Sequence, residues 1–494
     1  MRRWFHAAGF LAAAWAASAG ATPARVNALD AGTFLVPDDW DIINYYSLAP
    51  EFANHLYFYY PLSHQPYGWG NFEVKPLGTF IVWINLPNPT APIFGAVSKL
   101  SALGFKNLDL DAPGGQDWDP RETRIGTPDL KLGLGWGRRF GDALSVGMCT
   151  RLATLDESDT EAETGGAVGL LANPGSLLGV AVTSATVTSF ETHQRSSTFA
   201  LGPSLSWKGE SFTVDAYAAW IVLGVDNTWK ASLLKDATFD SADLSRSLEF
   251  DGSGSYQARL KVMVPLSDQS TLAVSGQWTS LDLSTKHTVK ESYAGAGLTA
   301  AQKAGVDHVD GTETLTAAPW TSMAGVFTRA HEYLLVVGIG ANGAAQESLD
   351  VAKARRATAT DLNDLVVSNR TDTKVESFDV PFLMGAEYSM FSWLRLRAVA
   401  QRNLIGSVRV TSRSSEDTDF DGAVDQSSSS VSETHGTRDW LFRLGFGLVT
   451  DRIGWDVLVN LQPSDLDYAS PFFTAPTKAT WKNPSITTAV VYKW

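Results

Sequence analysis

Along much of the chain, apolar side chains alternate with small or polar ones at every second position. The stretch 130–136 reads LKLGLGW, and the stretch 440–448 reads WLFRLGFGL. Because neighbouring side chains of a β-strand point to opposite faces, this pattern predicts strands with one apolar and one small or polar face. It recurs often enough to predict an all-β protein.

The connections between these predicted strands fall into two classes. Short, turn-like connections lie at 137–142, 173–176, 208–211, 265–270, 329–332, 389–392 and 451–454. Long polar ones lie at 87–128, 225–246, 286–311, 348–373, 411–436 and 462–484. From Lys208 onward the two classes alternate, which indicates antiparallel hairpins with tight turns at one rim and long loops at the other.

An up-and-down β-barrel explains both features, because closure leaves no exposed sheet edge. A soluble sandwich is the alternative, although its strands are usually shorter and its loops less one-sided. If both ends of residues 54–494 lie at the same rim, the number of strands is even, and the spacing predicts about 16, with a range of about 14 to 18. Residues 22–53 precede this barrel as a periplasmic or plug segment, and 54–60 is either a strand or part of that plug.

The distribution of side chains between the two faces indicates which face meets lipid. The non-apolar face is rich in Gly, Ala, Ser and Thr with scattered charges, whereas a soluble barrel would carry Lys and Glu outside. Tryptophans lie near the predicted strand ends, at 136, 207, 220, 278, 393, 440 and 455. Apolar side chains facing lipid, with indoles at headgroup level and a wet lumen inside, predict a transmembrane barrel.

The amino terminus has the three parts of a secretory signal in residues 1–21: Arg2 and Arg3, an apolar stretch, and the small residues Ala19-Gly20-Ala21. Cleavage is expected after Ala19 or Ala21. The longest later apolar stretch, 333–345, is shorter than the roughly 20 residues of a spanning helix.

Composition narrows the function classes further. A net charge of −14 argues against nucleic-acid partners, and the single cysteine, Cys149, excludes an intramolecular disulfide. No G-x-S-x-G or P-loop pattern appears among the 494 residues, and the eight histidines are scattered, so we do not expect an enzyme.

The chain ends with Val490, Tyr492 and Trp494 at alternate positions. This pattern resembles the terminal signature of bacterial outer-membrane barrel proteins. The resemblance implies an outer-membrane location among lipids and lipopolysaccharide, and the barrel-assembly machinery as a partner during biogenesis. The stretch 44–60 is similar to the opening of barrels of the long-chain fatty-acid transporter superfamily, although Tyr45 and Tyr46 stand where that family has Pro and Ala. That similarity implies architecture and no functional residue.

One outer loop matches the first nine positions of an EF-hand-like calcium loop. Asp417, Asp419, Asp421, the Ala423 carbonyl and Asp425 stand at ligand positions, and Gly422 permits the turn. The closing Glu is missing, since Ser428 occupies position twelve. Calcium would be bound weakly there; the alternative is a merely acidic, solvated loop. No other cofactor is expected.

Charged residues also fall on the predicted lumen face. They are Lys131, Arg259, Lys261, Arg395, Arg397, Arg443, Lys493, Asp215, Asp379, Glu387 and Asp456. Two interpretations stay open: cross-strand pairing into a structural network, since unpaired charges are costly at low dielectric, or a constriction that attracts anions.

The function that these features favour is a channel or passive transporter for small solutes, because a barrel of this width has a lumen that Gly, Ser, Thr and charges would hydrate. Uptake of hydrophobic compounds is its closest variant. The alternative is a structural or interaction barrel whose outer loops bind calcium, surface polymer or a partner protein. A soluble secreted β-protein is the third.

Overall fold

The chain forms one closed antiparallel β-barrel. The computed structural model describes residues 35–37, 39–61, 67–84, 130–161, 186–234, 239–251, 254–299, 303, 305–356, 365–436, 440–460 and 485–493. Within them β1 pairs on one side with β2 and on the other with β19, so the last strand closes the sheet on the first. Closure confirms the predicted barrel, and 54–60 belongs to its first strand.

The described residues contain nineteen strands. The first seven are β1 (His55–Pro61), β2 (Tyr67–Val74), β3 (Gly78–Ile84), β4 (Leu130–Phe140), β5 (Leu144–Glu161), β6 (Thr186–Lys208) and β7 (Thr213–Leu234). The next six are β8 (Ser241–Asp251), β9 (Ser255–Pro265), β10 (Ser270–Ala294), β11 (Val306–Ala317), β12 (Trp320–Ala330) and β13 (Tyr333–Arg355). The last six are β14 (Leu365–Phe391), β15 (Leu394–Glu416), β16 (Gln426–Gly436), β17 (Leu441–Val449), β18 (Ile453–Asn460) and β19 (Ser485–Lys493).

Three positions around the barrel are each occupied by two successive strands. Both β8 and β9 pair with β7 and with β10, and β11 and β12 likewise share β10 and β13 as neighbours. Strands β16 and β17 both pair with β15. The nineteen described strands therefore form sixteen positions around the ring, which confirms the predicted count.

Seven short connections lie at one rim, at 75–77, 141–143, 209–212, 266–269, 331–332, 392–393 and 450–452. The last six overlap predicted turns, whereas the turn at 75–77 is not among those predicted. We call this rim the short-turn rim; in barrels of this kind it faces the periplasm. The predicted turn at 173–176 and the predicted loops 87–128 and 462–484 lie outside the described residues.

The prediction of irregular loops at 225–246, 286–311, 348–373 and 411–436 is wrong in extent. Strands continue into all four, leaving between them 235–240, 295–305, 356–364 and 417–425. Strand β14 is 27 residues long, more than twice the 9–11 residues that cross a membrane. Every residue of β16 is exposed. Because both faces of such strand ends meet water, they lack the apolar alternation that marks the membrane-crossing part.

The outer surface of the barrel is apolar at membrane level. On β13, Leu335, Val337 and Ile339 are about half exposed, whereas the alternate residues Leu334 and Val336 are buried. Exposed aromatic rings lie at two levels: Trp220, Trp278 and Trp320 on the loop side, and Trp207, Tyr333, Phe391 and Trp393 near the short turns. Strand β12, which joins the two levels, has 11 residues, the length of one crossing. The protein is therefore an outer-membrane β-barrel.

The lumen is less polar than the sequence predicts. Two clusters of buried side chains fill its short-turn half. One contains Tyr57, Trp69, Ile81 and Trp83 around residues 42–49. The other packs Leu35 and Val36 against the inward faces of β10 and β12–β15. The expectation of a wall made mainly of Gly, Ser, Thr and charges is thus corrected, because residues 35–37 and 39–52 enter the lumen and apolar wall residues pack against them.

This segment contains two short 3-10 helices, Asp39–Ile43 and Tyr46–Phe52, and the second lies against the wall of β3–β6. None of the described helices is long and apolar enough to span a bilayer.

Candidate functional site

We call residues 39–52 the lumen plug. They pack against an inner wall that has glycine, and so no side chain, where the plug backbone comes closest. Gly137 on β4 and Gly147 on β5 face each other in register. A Cβ added at Gly147 would lie 2.5 Å from the backbone nitrogen of Ser47, and one at Gly137 would overlap the Tyr46 carbonyl oxygen. Glycine is required here because the plug backbone approaches closer than any side chain would allow.

A second pair of facing glycines receives the residues before the plug. Gly325 on β12 and Gly338 on β13 are also in register. A Cβ on either would lie 2.7 Å from Leu35 Cδ1. The described part of the N-terminal segment therefore contacts two separate parts of the wall.

The plug is joined to strand β9 by polar contacts in the interior of the barrel. Lys261 Nζ donates to Asp41 Oδ2 at 2.7 Å, and the two side chains are 0% and 3% exposed. Two positions earlier on the same face, Arg259 donates to the Asn44 side chain. Both contacts join the plug to one face of β9.

Arg151 on β5 contacts the plug from the neighbouring wall. Its Nη2 donates to the Ile43 carbonyl at 2.8 Å, and its Nε donates to the Tyr46 hydroxyl at 3.2 Å. The guanidinium lies 5.5 Å from the Tyr46 ring centroid and 5.6 Å from that of Tyr217. Both distances are within the range of cation–π attraction.

Further contacts fasten the plug toward the short-turn rim. The hydroxyls of Ser47 and Ser204 share a hydrogen bond of 2.8 Å. Glu51 Oε1 forms an ion pair with Lys208 Nζ at 2.5 Å and a longer one with Arg139 Nη2 at 3.7 Å. These two cations are partly exposed, so they contribute less than the buried pair.

Several of the other predicted lumen charges are paired across neighbouring strands. Arg397 bonds Glu387 at 2.6 Å and also Asp456, while Arg395 lies 3.9 Å from Glu387. This group is a cross-strand network. Asp215 accepts from Ser206 and lies beside Lys261 in register.

The remaining predicted charges have less defined surroundings. The side chain of Lys131 lies outside the described residues, and Lys493 is exposed at the short-turn rim. Asp379 adjoins Gly406, and Arg443 lies on the inward face of β17.

The predicted calcium loop brings three of its acidic residues together. Carboxylate oxygens of Asp417, Asp419 and Asp425 lie within 4.8 Å of one another. Asp421 points elsewhere, accepting from the Ala423 backbone N–H at 2.7 Å. Calcium binding there stays a prediction.

The loop's carboxylates differ electrostatically. Hydrogen bonds from the Thr418 side chain and backbone hold the pKa of Asp425 below its usual value. Loss of hydration raises the pKa of Asp419, and the neighbouring carboxylates raise it further. As the pH falls, Asp419 is therefore expected to take up a proton before Asp425 does.

Sequence reasoning missed Asp41, Asn44, Tyr46, Arg151 and Tyr217 as a connected group. One signal was available: Gly147, Cys149 and Arg151 stand at alternate positions of one strand, which places a cation on the small-residue face. In the predicted assembly signal, Val490 and Tyr492 share one face of β19, and Trp494 lies outside the described residues, as does the predicted signal peptide.

No family model and no curated protein matches the chain. Solved structures that resemble it include TbuX, a toluene transporter of Ralstonia pickettii, at 10% identity over 74% of this chain and 81% of that one, with a TM-score of 0.30. The toluene transporter TodX of Pseudomonas putida has 12% identity over 74% and 83%, with a TM-score of 0.30. A FadL homologue of Pseudomonas aeruginosa has 10% identity over 97% and 99%, with a TM-score of 0.36.

These neighbours are outer-membrane barrels, as is the type of protein that the terminal residues resemble. At this distance the likeness concerns the fold alone.

Proposed function

We propose that this barrel is a gated outer-membrane channel for small solutes with apolar parts, and that the lumen plug is its gate. The observation that supports this proposal is the plug itself. Residues 41–49 are nearly all buried inside the ring of strands, against walls that carry glycine where the plug backbone passes. A barrel with a purely structural role needs no inner wall shaped to hold a plug.

The character of the inner wall supports solutes with apolar parts. Open diffusion pores keep a polar, water-filled interior. Here Tyr57 stacks on Trp69 with 3.8 Å between ring centroids, and Trp83 and Ile81 continue the same surface. Across the lumen, Met323 and Phe327 belong to a second apolar surface. Moving the plug would expose both surfaces to the solute path.

The contacts of the plug are of a kind that water or a solute can replace. Among the described residues, the plug is held by hydrogen bonds, ion pairs and packing, and the chain has no second cysteine to form a disulfide. Two short 3-10 helices keep little structure of their own once removed from the wall. Displacement therefore requires no rearrangement of the strands.

Planar-bilayer recordings of a variant that expels the plug test the proposal. The substitution Gly147→Val places a side chain where the Ser47 backbone lies, changes no charge, and suits a strand. Gly276→Val is the matched control, because the nearest atom to its added Cβ would be 3.6 Å away.

We expect frequent stepwise openings from Gly147→Val, and rare openings from the unchanged chain and from Gly276→Val. Folding of each variant is checked by its heat-modifiable migration on a gel. Equal conductance in all three folded proteins would contradict a gating role for the plug.

A further inference from the structure

Three basic side chains lie on the lumen wall directly under the plug: Arg151 on β5, and Arg259 and Lys261 on one face of β9. We call them the cationic strip. Arg151 is 5% exposed and Lys261 is 0% exposed. Three cations in such surroundings are costly unless acceptors or negative charges compensate them.

The plug supplies most of that compensation. Asp41 accepts from Lys261, the Asn44 side chain accepts from Arg259, and the Ile43 carbonyl and Tyr46 hydroxyl accept from Arg151. Among the described residues neither arginine forms an ion pair with a carboxylate. The Nε of Arg259 also has no hydrogen-bond partner there, so one donor of the strip is left over even with the plug in place.

The wall alone compensates the strip poorly. Asp215, in register with Lys261, is a single carboxylate beside three cations. Across the lumen, Arg395 and Arg397 are matched by Glu387 and Asp456, so the network there adds no net charge. Once the plug leaves, the strip keeps a net positive charge.

We propose that the cationic strip is an anion-selecting site, which the plug covers and which favours small organic anions when the lumen is open. A carboxylate or sulfonate would replace the oxygens that the plug withdraws, and it fits the fork of an arginine. The rings of Tyr217 and Trp83 stay on the wall and would contact the apolar part of the same solute. This inference rests on the proposed function, because the plug has to move before a solute reaches the strip.

The chain carries its own reporter for this site. Cys149, its only cysteine, is 1% exposed and belongs to the same buried cluster as Ile42 and Tyr46 of the plug. It lies two residues before Arg151 on the same face of β5, so the two side chains are about 7 Å apart. Its rate of modification reports both access and local potential.

The experiment uses the full chain with Gly147→Val and three methanethiosulfonates: one neutral, one bearing a sulfonate and one bearing a quaternary ammonium. Each rate at Cys149 is divided by the rate of the same reagent with a free thiol. We expect the anionic reagent to react faster than the cationic one. Adding Arg151→Gln should lower the ratio of the two rates about tenfold, from the Coulomb energy of one charge at this spacing.

Two variants keep the result interpretable. Arg151→Lys preserves the charge and should preserve the ratio. Arg138→Gln removes an exposed cation from the outward face of β4 and should leave the ratio unchanged. If the neutral reagent reacts but the charged pair shows no anionic preference, the anion-selecting site is refuted and the gate stands. If the neutral reagent fails to react in Gly147→Val, the gate is refuted, and with it the site that it would uncover.

Discussion

Removing the Asp41 carboxylate should release the lumen plug, because a buried ammonium then loses the carboxylate to which it donates. Lys261 Nζ and Asp41 Oδ2 are 2.7 Å apart, and neither side chain is more than 3% exposed. Breaking a buried pair by deleting one partner costs about 3–5 kcal/mol. In Asp41→Ala that cost applies only while the plug is docked, since Lys261 regains water once the plug has left.

The penalty therefore shifts the docking equilibrium by a factor of about 10² to 4 × 10³, at about 1.4 kcal/mol for each tenfold change. Cys149 lies under the plug, and a neutral methanethiosulfonate reaches it only in the open state. If opening and closing are faster than modification, the observed rate is proportional to the open fraction. We expect Asp41→Ala to be modified at least about 100-fold faster than the unchanged chain.

The double variant Asp41→Ala, Lys261→Met separates charge from packing. With both charges of this pair gone, docking no longer buries an ammonium that has lost its partner, so modification should return to within about tenfold of the original rate. A single variant that reacts as slowly as the unchanged chain would refute the role of the pair in docking. A double variant as fast as the single one would show that lost contacts, and not an uncompensated charge, release the plug.

Three further predictions concern the wall, the lipid face and the outer loop. Arg397→Met leaves Glu387 and Asp456 without their shared cation and should lower the free energy of unfolding in urea by about 3–5 kcal/mol. Arg395 is partly exposed, so Arg395→Met should lower it by less than about 1 kcal/mol; equal reductions in the two variants would contradict the network. Val337→Arg, on the outward face of β13, should cost about 2–4 kcal/mol in folding into lipid vesicles, whereas Val431→Arg on exposed β16 should have no effect unless β16 also meets lipid. Calorimetric titration should show weak calcium binding that Asp417→Asn removes. Binding should weaken as the pH falls, because the raised pKa of Asp419 lets protons compete with calcium for that carboxylate; no heat on adding calcium to the unchanged chain would refute a calcium site.

Most of the barrel could be predicted from the sequence, because its signals are local. Alternation within stretches such as 130–136 reports which side chains share a face. The order of short and long connections indicates hairpins. Together, the alternation and the connections predict about sixteen strand positions around the barrel. The prediction was wrong where strands leave the membrane, since β16 meets water on both faces and its Ser-rich sequence resembles a loop.

The gate could not be predicted at the level of residues. Asp41 and Lys261 are separated by 220 positions, and Tyr46 and Arg151 by 105. No local pattern links such residues, because which of them meet depends on how the ring closes and on which wall the plug lies against. Lys261 could be placed on the lumen face from its strand, but its partner could not be identified.

The sequence by itself determined the class of the protein, its approximate strand number and the face that meets lipid, because alternation and turn spacing are properties of consecutive residues. Only the tertiary structure decided that facing glycines at 137 and 147 make room for the N-terminal segment, and that this segment supplies the acceptors for Arg151, Arg259 and Lys261. Closure of the ring brings these distant residues into contact, and in the closed lumen each unpaired charge is costly enough to make those contacts specific.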